Sequence, residues 1–218
     1  MSISHLSYSQ IRSLVGINIP DFSDRQGPFL QSRSGKRFYP FDARSGDFDL
    51  LDIAHSLSRQ CRFNGHTTEF YSVAQHCVIM SHLVEPKDQL WALMHDGVEA
   101  YLSDIPNPLK VMPEFSFYRE LEDKLTAILA HQFGLKGDKM PPEVHTMDRQ
   151  IIWNEKRDLM APCDWGRSGE PIAELMLSGW SSVESFRQFL RRYLELRGVD
   201  EKDHITYLSR LERGEIQY

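Results

Sequence analysis

The sequence predicts an all-α protein built around one helical domain. Three observations lead to this fold class: apolar residues recur at helical spacing along most of the chain, capping and helix-ending residues separate these stretches, and segments with the alternation of a strand are few. The predicted helices span residues 47–60, 68–84, 88–102, 115–134, 142–160 and 181–198, and the segment 204–214 has the composition of one more.

The chain divides into a short N-terminal extension and one larger domain. In residues 1–33, proline and glycine interrupt any helical periodicity, so we expect a small irregular segment. Residues 34–218 form the main domain, in which 49–160 carry the motifs described below and 168–218 supply C-terminal helices. A length of 218 residues suits one sizeable core better than two complete domains.

The segment SGKRFYPFDARSGDFD, residues 34–49, is predicted to form a loop or a short hairpin, because it is rich in glycine, proline and aspartate. The aromatic side chains of Phe38, Tyr39 and Phe41 are expected to hold this segment against the core. From Asp49 onwards the pattern becomes helical, and acidic residues occupy the first turn, where the helix dipole favours them.

Residues that stop helices mark the boundaries between the remaining elements. Asn64 and Gly65 end the first helical region, and Pro86 ends the second. Asp88 is predicted to be the N-cap of the third helix. Gly134 is the expected C-cap of the fourth, because glycine adopts the left-handed conformation without strain.

Charge and composition exclude several classes of protein. A net charge of −6 argues against binding of a nucleic-acid polymer, although a small anionic substrate remains compatible with it. No apolar stretch approaches the roughly 20 residues that a membrane-spanning helix needs. The segment MSISHLSYSQIRSL lacks the parts of a signal peptide, and the three cysteines lack metal-ligand spacing. We therefore expect a cytoplasmic protein with reduced cysteines.

The stretch LMHDGVEAYLSDIPNPLK, residues 93–110, combines an apolar helix with three ionisable groups. On a helical wheel at about 100° per residue, His95, Asp96 and Glu99 share one arc, and apolar residues cover the others. Buried carboxylates without partners are costly, and this helix offers no lysine or arginine to pair with them. A divalent metal ion resolves this conflict, but two ligands, His95 and Asp96, are too few to close a site.

Two other predicted helices place ligand-type residues on inward faces. His76 lies at the edge of an apolar stripe, and Asp148 occupies an arc that is otherwise apolar. Each has an ordinary alternative, because His76 could be a core histidine and Asp148 could pair with Arg149 or Arg157. Their coincidence on inward arcs favours one joint metal site. Its predicted ligands are His76, His95, Asp96 and Asp148.

These residues resemble the H…HD…D pattern of the HD-domain metal-dependent phosphohydrolases, whose fold is an all-α bundle. The resemblance covers about residues 34–160 and is carried by three segments, which read IAHSLSRQCRFNGHTTEFYSVAQH, ALMHDGVEAYLSDIPNPLK and MDRQIIWNEKRDLM. They are similar to segments of bacterial 5'-deoxynucleotidases and of phage or bacterial nucleotide phosphohydrolases. The R-F-N-G and Y-S-V-A-Q-H parts most resemble phage enzymes that remove phosphates from dATP.

The resemblance implies a role for each matching residue. It assigns the metal to the four ligands named above. Glu99 and Asp104 match the acids that flank the attacked phosphate, and either could orient the water or protonate the leaving oxygen. The implied substrate-binding residues are Arg62, Phe63, Asn64, Gly65 and Lys110. Nucleotidases of this branch carry Trp at the position of Phe63, a change that retains base stacking and leaves base preference open.

Three of these residues have ordinary explanations without the resemblance. Asp104 could merely cap the turn that precedes a proline. Lys110 could be a solvated surface lysine, which is the commoner fate of lysine. Phe63 could belong to the core. Binding of additional phosphates needs further cations, and the sequence offers three candidates without placing them: Lys36, Arg37 and Arg119.

The resemblance implies a hydrolase that uses Zn, Co or Mn, with Mg possible at a second site. Its expected substrate is a deoxynucleotide, with dATP favoured and dADP and dAMP as further substrates, converted to deoxyadenosine. Stepwise removal of phosphates and cleavage at the α-phosphate both remain open. Family members are commonly homo-oligomers, so we expect a dimer or hexamer in the cytoplasm, or in the host cytoplasm if a phage encodes the chain. The alternatives are a nucleotidase that accepts only deoxynucleoside monophosphates and a non-catalytic nucleotide-binding regulator.

Overall fold

A computed structural model describes residues 24, 25, 27–200, 203, 204, 206, 209 and 210. This part of the chain is mostly helical, with one small two-stranded sheet, as the sequence predicts. Most of the predicted N-terminal extension, residues 1–23 and 26, lies outside the described residues, and so does most of the predicted helix at 204–214.

Most elements follow one another along the chain with short connections, and the two long ones are residues 58–72 and 160–181. The strands are β1 (Leu30–Gln31) and β2 (Arg37–Phe38), which pair in antiparallel register. The helices are α1 (Leu50–Leu57), α2 (Val73–Leu83), α3 (Gln89–Met94), α4 (Glu99–Leu102), α5 (Asn107–Lys110), α6 (Ser116–Phe133), α7 (Pro142–Leu159) and α8 (Ser182–Leu196). Short 3₁₀ turns occur at Pro40–Asp42, Arg62–Gly65, Pro86–Asp88 and Pro113–Phe115.

Helix α2 lies at the centre of the domain. It packs against α3, α7 and α8, and α8 also contacts α1 and α3. The Ser72 side chain caps α2 by accepting a hydrogen bond from the Gln75 backbone N–H, so the helix begins at Val73 rather than at the predicted residue 68. Predicted boundaries are confirmed to within a few residues for α1, α6, α7 and α8, and Gly134 ends α6 with a φ of 65°.

The third predicted helix, residues 88–102, is wrong as one continuous element. The chain forms α3, then a turn at 95–98, then α4, because backbone hydrogen bonds tighten from i→i+4 to i→i+3. The Gly97 N–H donates to the Met94 carbonyl at 2.8 Å and the Glu99 N–H donates to the Asp96 carbonyl at 2.9 Å. Asp88 is also not a side-chain cap, because it belongs to the 3₁₀ turn that precedes α3.

A short hairpin forms, but its first strand, β1, precedes the predicted segment 34–49, in which only β2 lies. Two of the three predicted aromatic anchors are buried. Phe38 stacks on Tyr101 at 4.1 Å between ring centroids and Tyr39 is buried beside it in the chain. The prediction for Phe41 is wrong, since 51% of this residue is exposed and its ring lies 6.0 Å from that of Phe117. Phe41 falls in the 3₁₀ turn after β2, which directs it away from the core.

The segment between α7 and α8, residues 160–181, has no regular helix or strand, and we call it the strap. Buried polar side chains hold it on the helices in place of backbone pairing. Asn154 of α7 donates to the carbonyls of Ile172 and Leu175 and accepts from the Ile172 N–H, at 2.8–3.0 Å. Gln75 of α2 bonds the next part of the strap in the same way, at Ser178 and Trp180.

We expect Asn154→Leu to lower the free energy of unfolding by about 2–4 kcal/mol, because it removes three hydrogen bonds and leaves buried strap backbone groups unpaired. Urea titration followed by circular dichroism measures the change. Gln150→Leu, an exposed change on the same helix, serves as the control and should shift stability by less than about 0.5 kcal/mol. Equal stability of the two variants would contradict the role assigned to Asn154.

Candidate metal centre

Three predicted ligands come together in the structure. One side-chain atom from each of His76, His95 and Asp96 lies within 4.8 Å of the other two. His76 is on α2, and its side chain is completely buried. His95 and Asp96 occupy the tightened turn after α3, so the change of hydrogen-bond pattern there sets the direction of both side chains.

The hydrogen bonds of the two imidazoles leave both Nε2 atoms available as ligands. Nδ1 of His95 lies 2.8 Å from the Ala92 carbonyl, which can only accept, so Nδ1 carries the proton. Nδ1 of His76 lies 2.8 Å from a carboxylate oxygen of Glu155 and donates likewise. Neither Nε2 atom has a hydrogen-bond partner among the described residues, although both are buried. Each imidazole thus directs Nε2 toward the same space as the Asp96 carboxylate, and two imidazole nitrogens with a carboxylate are a ligand set that fits a divalent transition metal ion.

The fourth predicted ligand, Asp148 of α7, lies beside this group and is not part of it. Its Oδ1 atom is 3.1 Å from Nε2 of His76, without the geometry of a hydrogen bond. Burial raises the pKa of this carboxyl, but His76, His95 and Arg62 outweigh burial and hold the pKa well below its usual range. Asp148 is therefore ionised, and its carboxylate is within a short movement of the three ligands.

Glu155 is a site residue that the sequence prediction missed. It is completely buried on α7 and pairs with both Nδ1 of His76, at 2.8 Å, and the Arg62 guanidinium, at 3.0 Å. Burial raises its pKa, but Arg62 and His76 outweigh burial and lower the pKa to about 2. The available signal was its spacing, since Glu155 follows Asp148 by seven residues and hence lies on the same helix face.

The two predicted acids differ in burial. Glu99 is buried at the first turn of α4, and burial, with the neighbouring carboxylates Asp96 and Asp104, raises its pKa well above the usual range. Asp104 is partly exposed and lies 3.7 Å from Lys110. Lys110 also forms an ion pair with Glu122 at 2.7 Å, so its charge is shared between two carboxylates.

Residues 61–72 form a loop that contains the predicted substrate-binding residues Arg62–Gly65; we name it the nucleotide loop after that prediction, and the Arg62–Glu155 contact holds it close to α7. An antiparallel bridge between Cys61 and Ser72 closes the base of the loop, and the Arg62 guanidinium lies 5.5 Å from the centre of the Phe63 ring. Phe63 and Asn64 both have left-handed backbone angles, with φ of 53° and 52°. A strained backbone at two successive residues other than glycine is frequent at ligand-binding sites.

These residues surround one cleft of about 1450 Å³. It exceeds the usual size of a small-molecule pocket and therefore has room for a nucleotide. The predicted site residues that line it are Arg62, Phe63, Asn64, His95, Asp96, Glu99, Asp104, Lys110 and Asp148. Gly65 and His76 do not line it.

The candidates for additional phosphate binding, Lys36, Arg37 and Arg119, do not line this cleft. Lys36 forms an ion pair with Asp49 at 2.6 Å. Arg37 lies over the Phe29 ring, and Arg119 donates to backbone carbonyls. Three other cations line the cleft instead, namely Lys139, Arg149 and Arg167.

Fold and site together define a mostly helical protein with a three-residue candidate metal centre at a large cleft. The chain belongs to the same family as the uncharacterized protein YfdR of Escherichia coli strain K12, with 43% identity over 132 residues, covering 60% of this chain and 72% of YfdR. It is also similar to the uncharacterized protein RCAP_rcc00048 of Rhodobacter capsulatus, with 37% identity over 111 residues, covering 47% of this chain and 56% of that protein. No family model matches the chain. Among the described helices, none combines the length and apolar character required to span a membrane.

We expect Glu155→Gln to weaken binding of Co²⁺ about 10- to 100-fold, because the charge that orients the His76 ring and increases its basicity is lost. Titration calorimetry with Co²⁺ measures the affinity. Glu143→Gln, an exposed change on the same helix, is the matched control and should bind Co²⁺ like the wild type. Equal affinities in the two variants would show that Glu155 does not support the ligand.

The metal-free protein should lose stability as the pH rises from 6.5 to 9. Burial and Arg62 lower the pKa of His76, but Glu155 and Asp148 outweigh them and raise it from 6.5 to about 9. A raised pKa contributes stability that is complete below pH 6.5 and lost through pH 9, by up to about 3 kcal/mol. Urea titrations in EDTA at each pH measure the loss. His76→Gln should remove this part of the slope, and an identical slope in that variant would contradict the assignment.

Proposed function

We propose that this protein is an HD-domain type, metal-dependent phosphohydrolase that acts on deoxynucleotides, with dATP as the favoured substrate. The observation that carries the proposal is the pair of buried imidazole Nε2 atoms, without hydrogen-bond partners among the described residues, beside the Asp96 carboxylate. Two of the three residues, His95 and Asp96, line a cleft large enough for a nucleotide. The resemblance of the surrounding segments to nucleotide phosphohydrolases supplies the reaction class. dADP and dAMP are proposed as further substrates, with deoxyadenosine as the final product.

The proposed ligands of the cation are His76, His95, Asp96 and Asp148. A bound Zn, Co or Mn ion supplies a Lewis acid that stabilises phosphate charge and lowers the pKa of a water molecule, and Mg could occupy a second site. Asp148 is outside the three-residue group by a short distance, so we propose that it completes the ligand set when the ion binds.

Glu99 and Asp104 are proposed to share the proton transfers. Hydrolysis forms a bond from the water oxygen to phosphorus and breaks the bond to the leaving oxygen, which needs a proton. Glu99 suits the role of acid, because it lines the cleft and because burial, with Asp96 and Asp104 nearby, raises its pKa. Asp104 is partly exposed at the cleft and suits the role of the group that receives the proton of the water.

Arg62 and Lys110 are proposed to bind the phosphate. The Arg62 guanidinium is fixed by Glu155, and its buried Nε–H has no partner among the residues that the structure describes. This donor is available for a phosphate oxygen. Phe63 and the adjoining Asn64 and Gly65 are proposed to face the base. The whole protein is proposed to work as a homo-oligomer, a dimer or hexamer, in the cytoplasm.

The purified protein, supplied in turn with Mn²⁺, Co²⁺, Zn²⁺ and Mg²⁺, should release phosphate, pyrophosphate or triphosphate from dATP. His95→Ala and Asp96→Ala should each lower turnover at least 100-fold and abolish metal retention, because each removes a ligand. Mass spectrometry of the products from every dNTP and dNMP measures turnover and distinguishes stepwise removal from cleavage at the α-phosphate.

The exposed change His82→Ala is the control and should keep full activity. Consumption of dAMP but not dATP would favour the monophosphate-specific nucleotidase. Tight nucleotide binding without any product would favour the non-catalytic regulator. Undiminished turnover in both ligand variants would place the active site elsewhere.

A further inference from the structure

One face of α7 forms a continuous wall of the cleft. The lining residues on this helix are His145, Asp148, Arg149, Ile152 and Trp153, which are spaced as i, i+3, i+4, i+7 and i+8. From His145 to Trp153 this face spans about 12 Å along the helix axis, at about 1.5 Å per residue. Asp148, the acid beside the candidate metal centre, lies between the two ends, so ligand bound there can extend in both directions.

The C-terminal end of this wall is aromatic. Trp153 and Trp165 of the strap have ring centroids 5.8 Å apart, and both line the cleft. The Arg167 guanidinium lies within 6.0 Å of both rings and lines the cleft with them. Flat indole surface and a guanidinium donor match the two features of a nucleobase, which are a π face and ring-nitrogen acceptors.

The nucleotide loop reaches the same end of α7. Arg62 contacts Glu155, and the Thr68 backbone N–H donates to the Leu159 carbonyl at 2.8 Å. Phe63 therefore belongs to the aromatic end, where the resemblance places the base. Trp153 lies within one of the segments that carry that resemblance, and Trp165 lies outside all of them, so Trp165 is independent support for the same location.

Two cations lie toward the opposite end: Lys139 precedes α7, and Arg149 is at the middle of the wall, four residues from His145 and four from Trp153. Lys139, just before α7, and Arg149 both line the cleft, and neither has an ion-pair partner in the described part of the chain. His145 lies between them in the sequence and also lines the cleft. The acids Glu122, Asp123 and Asp138 also line the cleft, and Glu122 is paired with Lys110. In a chain with a net charge of −6, two cleft-lining cations that have no ion-pair partner among the described residues favour an anionic group beside them.

We propose that the cleft binds its nucleotide in one direction, with the base against Trp153 and Trp165 and the outer phosphates against Lys139 and Arg149. This inference rests on the proposed function, since it assumes a nucleotide whose first phosphate lies at the metal centre. The expected ligand is a deoxynucleoside triphosphate, because the single phosphate of a monophosphate would not contact Lys139 and Arg149.

Two double variants test the two ends by titration calorimetry with Ca²⁺ in place of the transition metal ion, after a check that no product forms, so that the metal centre is occupied and turnover does not interfere. The ligands are dATP, dAMP and inorganic triphosphate. Trp153→Leu with Trp165→Leu should weaken dATP and dAMP about tenfold and leave triphosphate unchanged, because only base stacking is lost. Lys139→Gln with Arg149→Gln should weaken dATP and triphosphate about tenfold and leave dAMP within about twofold.

Matched controls keep the test specific. Lys124→Gln with Arg187→Gln removes the same two charges from exposed positions outside the cleft, and Trp180→Leu removes a tryptophan outside it. Both controls should bind all three ligands like the wild type. Should the double leucine variant fail to fold, Trp165→Leu alone should still weaken dATP and dAMP about threefold and leave triphosphate unchanged, because one stacking face is lost.

The outcomes separate this inference from the proposed function. Equal weakening of all three ligands in both variants, no weakening in either, or no binding of dATP by the wild type would overturn the directional site. A loss of thermal stability with unchanged affinities would show that the tryptophans only fasten the strap. The predicted pattern without any turnover of dATP would support the binding site and contradict the hydrolase.

Discussion

The hydrogen bond between the Glu155 carboxylate and Nδ1 of His76 joins the core of the helical domain to its candidate metal centre. A buried carboxylate is stable only with compensating positive charge or donors, and Arg62 provides the second contact. Removal of Arg62 or His76 would leave the buried Glu155 carboxylate with less compensation for its charge, so the three residues depend on one another. Through them, α2, α7 and the nucleotide loop hold fixed positions before any ion or ligand binds.

The same physical requirement explains the strap. Residues 160–181 form no helix or strand, yet their backbone groups pack against the domain and need partners. Asn154 and Gln75, both buried, supply these partners from α7 and α2. Gly169 also lies so close to the Trp153 indole that a Cβ there would come within 2.0 Å of its Nε1 atom. The strap thus depends on the helices that carry the site, and it returns Trp165 to the cleft.

Sequence reasoning predicted what depends on local pattern. His76, His95 and Asp96 were identifiable because polar groups on apolar helix faces conflict with burial, and the structure brings these three together. Glu155 was not predicted as a site residue, because its partners, Arg62 and His76, are 93 and 79 residues away in the sequence and come close only when α7 packs on α2. The misplaced cations Lys36, Arg37 and Arg119 have the same origin, since nothing local indicates which charges a fold directs toward a cleft.

The break between α3 and α4 shows why a correct ligand pair can accompany a wrong helix. A wheel drawn at about 100° per residue placed His95, Asp96 and Glu99 on one arc. In the turn, the i→i+3 hydrogen bonds increase the rotation to about 120° per residue. Glycine is needed at position 97, because the turn lies directly against Leu129. A Cβ at this position would lie 2.9 Å from a side-chain carbon of Leu129. The turn therefore packs tightly on α6, and the two ligands project from a rigid point rather than from a flexible loop. Rigid placement of this kind is what a metal site requires, since small displacements of a ligand weaken coordination.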